Sequence, residues 1–213
     1  MKLLKLFLLV LTAAISVSAC KIVYDKDKKS VIPPGPEGDV ARNDARLAST
    51  FDDQLLPLIS EKALSVQELN QIIASELDAA GQQHGNRGSG LGAAWNFALN
   101  DSGKIVEAKL DTSARKLGVD TDGDGTTDIT VQLGPVIRGT ALRDFAPFYN
   151  FDEFRDQIEF AKLSRAINER IKKSLSVPEG ELVGRSLSFK GVIAIKKQSD
   201  KFLLTPVSIE FSE

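Results

Sequence analysis

Residues 94–110 read Ala-Trp-Asn-Phe-Ala-Leu-Asn-Asp-Ser-Gly-Lys-Ile-Val-Glu-Ala-Lys-Leu, and within them the apolar period of the chain changes. Trp95, Phe97 and Leu99 alternate with smaller or polar neighbours, as a half-buried strand requires. Asn100-Asp101-Ser102-Gly103 predicts a turn, and Ile105 opens a second strand running to Leu110. Downstream the same period recurs at 115–119 and 129–133, on either side of the Asp-rich stretch 120–128. Gly134-Pro135 breaks that run, and 136–139 resume it briefly. Two further strands are expected at 185–196 and 202–211, joined through Gln198-Ser199-Asp200.

Helical spacing flanks and interrupts these strands. Leu47, Phe51, Leu55 and Leu58 form one stripe, which Pro57 should end or kink. Ser65-Val66-Gln67-Glu68 has the form of a capping box, and Leu69, Ile72, Ile73 and Leu77 follow it as a core-facing face. Asn150, with Glu153 three residues on, predicts the start of a long helix carrying Phe154, Ile158, Ala161, Leu163, Ile167 and Ile171 inward. The fold class read from this order is α+β: N-terminal helices, then an antiparallel, barrel-like sheet interrupted by one long helix. That arrangement is akin to an oligonucleotide/oligosaccharide-binding (OB) barrel.

The first residues carry an address. Lys2 and Lys5 give a positive n-region, residues 3–15 an apolar h-region, and Ser18-Ala19 a small-residue cleavage site directly before Cys20. Cys20 is the only cysteine of the chain, and a lipoprotein signal needs one there because its thiol accepts diacylglycerol. The apolar run is too short to span a bilayer, which takes about 20 residues. Residues 1–19 are therefore read as a lipoprotein signal peptide, 20–40 as a lipidated tether and 41–213 as one globular domain. Pro33-Pro34-Gly35-Pro36 stiffens the tether. Lys21 follows the cysteine where an Asp would signal inner-membrane retention, so the outer membrane is favoured in a Gram-negative host.

Removing residues 1–19 takes away two lysines and no acid, leaving 25 Lys+Arg against 29 Asp+Glu, a formal charge of −4. That balance argues against a nucleic-acid partner and against electrostatic docking on anionic lipid. With Cys20 used by lipid, no disulfide is available.

One stretch concentrates metal-ligand chemistry. Asp120-Thr-Asp122-Gly-Asp124-Gly125-Thr126-Thr-Asp128 places carboxylates at loop positions 1, 3, 5 and 9, with glycine at position 6 and the Thr126 carbonyl at position 7. Val131 stands where an EF-hand has its bidentate Glu, and the flanks read as strands. The loop therefore resembles the calcium loops at the hairpin tips of integrin-type propeller blades. A structural Ca²⁺ is expected at Asp120, Asp122, Asp124, Thr126 and Asp128, with a dissociation constant on the order of 10⁻⁴–10⁻³ M. A solvated Asp/Gly turn is the plainer alternative.

Ligand contacts are sought at Trp95, Arg138 and Arg143: the arginines as donors to a carboxylate, phosphate or sugar hydroxyl, the indole as a stacking surface. Against this, a strand-to-helix corner where Arg143 or Arg138 pairs with Asp144 or Asp156 is the plainer account of the arginines, and core the plainer account of Trp95. His84, the sole histidine, lies in the glycine-rich stretch 81–92 with no visible partner group. No nucleophile, zinc cluster or carboxylate pair nominates a catalytic set. A hydrolase acting on envelope glycans or lipids would need convergent carboxylates in a cleft, for instance Asp144, Asp152 or Glu159, and a purely structural envelope protein is a third reading.

Cys20-Lys-Ile-Val, Trp95-Asn-Phe97, the Asp-Gly-Asp-Gly loop, 131–144 (Val-Gln-Leu-Gly-Pro-Val-Ile-Arg-Gly-Thr-Ala-Leu-Arg-Asp), Gln157-Ile-Glu-Phe-Ala and Leu204-Thr-Pro-Val-Ser-Ile together resemble a family of predicted bacterial periplasmic lipoproteins, a domain of unknown function. The similarity spans nearly all of the mature chain. It implies a lipid anchor and, from the sugar ABC transporter genes that often neighbour the family, an accessory role in sugar uptake with a sugar ligand or transporter component as partner. It supplies no catalytic residues.

Overall fold

Five strands close on themselves in the computed structural model, which describes residues 32–90 and 92–212; the expected signal peptide and Cys20 lie outside these. The strands are β1 (Trp95–Lys109), β2 (Ala114–Asp120), β3 (Ile129–Pro135), β4 (Ser186–Ile195) and β5 (Phe202–Ser212). β1 pairs antiparallel with β4 from Trp95↔Ile195 to Lys104↔Ser186, then with β2 from Lys104↔Asp120 to Lys109↔Lys116. β2–β3 and β4–β5 are antiparallel hairpins. The seam is closed by β3 against β5, a parallel pairing from Ile129↔Phe202 to Val131↔Leu204, so the sheet is not wholly antiparallel as expected. A two-residue strand, Asn86–Arg87, adds to the start of β1.

The expected turn at 100–103 is absent, and β1 runs through it. The turn-forming residues serve a bend instead. Gly103 sits so close to β2 that a Cβ there would lie 2.1 Å from the Asp120 carbonyl oxygen. Asp101 turns outward and accepts the Val66 amide at 2.8 Å. A register shift between Ile105 and Glu107 completes the change of partner. At the other end, 136–139 do not resume a strand; β3 stops at Pro135.

Two apolar layers share the barrel wall. Inside lie Phe97, Leu99, Ile105, Leu117, Val119, Ile129, Val131, Leu187, Phe189, Ile193 and Leu204. Each contributes about 1.5–3 kcal/mol by leaving water. Helix α1 (Asp39–Thr50) runs through a π-turn (Phe51–Leu55) into α2 (Leu56–Lys62). Pro57 falls in the first turn of α2, directly after the π-turn that interrupts the regular helix at Thr50. α3 (Val66–Ser75) inserts Val66, Leu69 and Ile73 into the barrel core, and its Ser65–Glu68 capping box is formed in full. α4 (Leu77–His84) takes up the first residues of the glycine-rich stretch 81–92.

The outer layer packs α1, α2, α5 (Ala141–Phe145) and α6 (Gln157–Ser174) over Ala98 of β1 and Val192 of β4. α6 does not begin at Asn150, which caps only a 3-10 turn over Phe151–Glu153. Asp156 caps it, accepting the amides of Ile158 and Glu159 at 2.9 Å each. Ile158 is exposed, and Phe160 takes the inward place expected of it. α1 and α6 are tied by buried charge. Asp39 accepts bonds from Arg42, Arg155 and Lys162, and Glu159 from Arg42 and Arg46. Asp39 and Gly38 are buried, so the fold takes up the last residues of the expected tether.

Candidate functional site

On the outer wall of the barrel, alternation along β1 and β2 sends Glu107, Lys109, Lys116 and the bare backbone of Gly118 to one side. Cross-strand pairing aligns Glu107 with Gly118 and Thr130, and Lys109 with Lys116. Asn70 of α3 and the 196–201 loop rise beside this wall and enclose a recess of about 420 Å³, with Asp128 and Thr127 at its upper lip. Gly118 has a specific role there. A Cβ on it would stand 2.4 Å from Thr127 Oγ1, so only glycine lets the 121–128 loop fold down onto the wall.

The rim is fixed by its own hydrogen bonds. Asp200 accepts the Lys196 and Lys197 amides at 2.8 and 3.0 Å, and these bonds lower its pKa. Gln198 donates to the Ile73 carbonyl at the end of α3. Asp128 accepts the amide and hydroxyl of Thr121 at 2.7 and 2.8 Å. The recess is thus a preformed polar pocket, within the size range of small-molecule sites.

The Asp-rich loop leads directly into it. Asp120 is buried and accepts the amides of Gly123 and Gly125 at 2.7 and 2.8 Å, which lower its pKa against the desolvation that would raise it. Gly123 and Gly125 both have φ of +85°, the conformation that favours glycine. Carboxylate oxygens of Asp120, Asp122 and Asp124 come within 4.8 Å of one another. Asp124 also accepts the amide and hydroxyl of Thr126, while Asp128 is turned away to Thr121.

Trp95, Arg138 and Arg143 are not brought together around this recess. The Trp95 indole donates to Asp78 at 2.6 Å and lies flush on Gly81 of α4. Arg143 is buried, bonded to Asp144 at 2.6 Å and to the Phe160 carbonyl at 3.1 Å, with its guanidinium 3.6 Å from the Phe160 ring centroid. Only Arg138 keeps an exposed side chain; its backbone is clamped by Gln132 at 2.9 and 3.1 Å. Of the carboxylates a hydrolase would need, Asp144 and Glu159 are held in ion pairs and Asp152 is exposed. The recess residues themselves escaped sequence reasoning. Glu107-x-Lys109 is an outward strand pattern, but its meeting with Lys116 and Lys201 depends on a register and a loop path that spacing does not encode.

A model of the family described as predicted periplasmic lipoprotein (DUF2291) matches residues 10–210. The chain belongs to that family. This lipoprotein is lipid-anchored in the bacterial cell envelope and faces the periplasm. No curated protein matches it in sequence. Among solved structures it is similar to an OB-fold protein from Thermotoga maritima MSB8, at 16% identity and a TM-score of 0.51. That likeness covers 82% of this chain and 93% of the other, and it establishes the architecture alone: a closed five-stranded barrel with helices. Among the described residues no helix is long and apolar enough to cross a membrane.

Proposed function

We propose that the lipoprotein is a non-enzymatic accessory of the periplasm that binds a small polar ligand in the barrel-wall recess and serves sugar uptake beside a membrane transporter. The observation that carries this reading is the recess itself, about 420 Å³ of preformed polar surface beside the 196–201 loop. In OB barrels the face of the second and third strands, flanked by such loops, is where oligosaccharides and oligonucleotides bind. Apart from Phe202 and Gly118 its lining is hydroxyl, amide and charged side chains, the groups that pair with sugar hydroxyls.

A calcium ion in the Asp120–Asp122–Asp124 loop would pin the recess's upper lip. Three converging carboxylates and two positive-φ glycines support that reading. Both parts are tested by thermal unfolding of the mature lipidated chain in detergent, with and without sugars and calcium. Ligands of the folded state raise Tm by mass action. A rise with any sugar supports the recess, and a rise with millimolar calcium that Asp122→Asn removes supports the metal. A Tm unmoved by the sugars overturns the first, and one unmoved by calcium the second.

A further inference from the structure

We propose that the recess takes its ligand by an anionic group, a phosphate or carboxylate, held between Lys116 and Lys201. This rests on the recess being a binding site and adds the ligand's charge. Three lysines and three carboxylates line the cavity, so no net field selects the ligand. What differs is which groups are already engaged. Glu107 is paired with Lys109 at 2.9 Å. Asp128 and Asp200 each hold two hydrogen bonds from their own loops. Lys116 and Lys201 line the same cavity, yet neither side chain makes a hydrogen bond or ion pair among the described residues.

Lys116 also stands directly across the ladder from Lys109, on the same face of the sheet. Like charges placed opposite one another destabilise a sheet, and only Lys109 has an acid to offset this. An anion bridging Lys116 and Lys201 would relieve that repulsion and form charge-assisted hydrogen bonds, about twice as strong as neutral ones. Thr127 covers Gly118, so the rest of the ligand would lie in the remainder of the recess of about 420 Å³, beside the ammonium groups.

The test is calorimetric titration of the mature chain with glucose, glucose 6-phosphate, glucuronate and inorganic phosphate. The expected result is a preference of about tenfold or more for the anionic sugars over glucose. Lys116→Gln with Lys201→Gln should erase the preference, and Lys116→Arg with Lys201→Arg should retain it. Glucose 6-phosphate against glucuronate separates phosphate from carboxylate, and inorganic phosphate separates a bare anion from a sugar that carries one. Glucose binding as tightly as the charged sugars overturns the anion proposal while the recess stays a sugar site. A preference that survives the double Gln variant overturns the assignment to these lysines. Silence from all four probes overturns both readings.

Discussion

Asp39 has no exposed surface, yet three cations converge on its carboxylate. Hydrogen bonds from Lys162 and Arg155 outweigh the desolvation and hold its pKa at about 2, against 3.8 for a free aspartate. The folded value is the lower one, so its contribution to stability is fully present above pH 4 and fades as pH falls toward 2. Asp39→Asn should therefore lower Tm at pH 7, and the gap to the parent should narrow at pH 3. An equal gap at both would remove the charge from the explanation. At Gly81 the argument is steric. A Cβ there would lie 2.1 Å from Trp95 Cδ2, so Gly81→Ala forces α4 off the indole. Overpacking costs about 1–3 kcal/mol, more than the roughly 1 kcal/mol that alanine returns in helix propensity. Urea unfolding should show a net loss, and a gain would refute the packing.

The start of α6 shows what sequence carries and what it omits. Asn150-x-x-Glu153 and Asp156-x-x-Glu159 both have the form of a helix start. The second is used because Phe154 turns inward, its ring 4.8 Å from that of Phe160 and under the Arg46 guanidinium at 4.1 Å. No local rule holds that choice. Asp156→Ala should accordingly cost about 1 kcal/mol in chemical unfolding, with a smaller loss for Asn150→Ala, whose side chain serves only a 3-10 turn. The reverse order would restore the earlier start. The strands at 114–120, 129–135, 186–195 and 202–212 were legible because apolar residues mark each one. The bend in β1 was not, since Asn100, Asp101 and Gly103 are turn formers whose use as bend and cap is set by α3 and β2. The recess was hidden for a related reason: Lys116 faces Lys109 only in this register. The Asp-rich loop, by contrast, was plain in the sequence, because glycine and aspartate at fixed offsets encode its turns within nine residues.

At the scale of the molecule, the two apolar layers meet on one wall: Phe97 and Leu99 point into the barrel while Ala98 between them points to the helices. Neither layer is complete without β1, and β1 pairs with β4, some ninety residues later in the chain. Loss of β5 would strip β3 and β4 of a partner at once. A chain ending at Lys201 is expected to show no cooperative unfolding transition by circular dichroism, and a sharp transition would show the seam to be dispensable. The parallel seam has a further meaning for a protein that must leave the cytoplasm. Contacts so distant in sequence make folding slow, because the chain between them must be gathered before any pairing rewards it. No partial barrel can close while the last strand is still on the near side of the membrane. Closure of the barrel therefore waits on its last strand, the one element that joins β3 to β4.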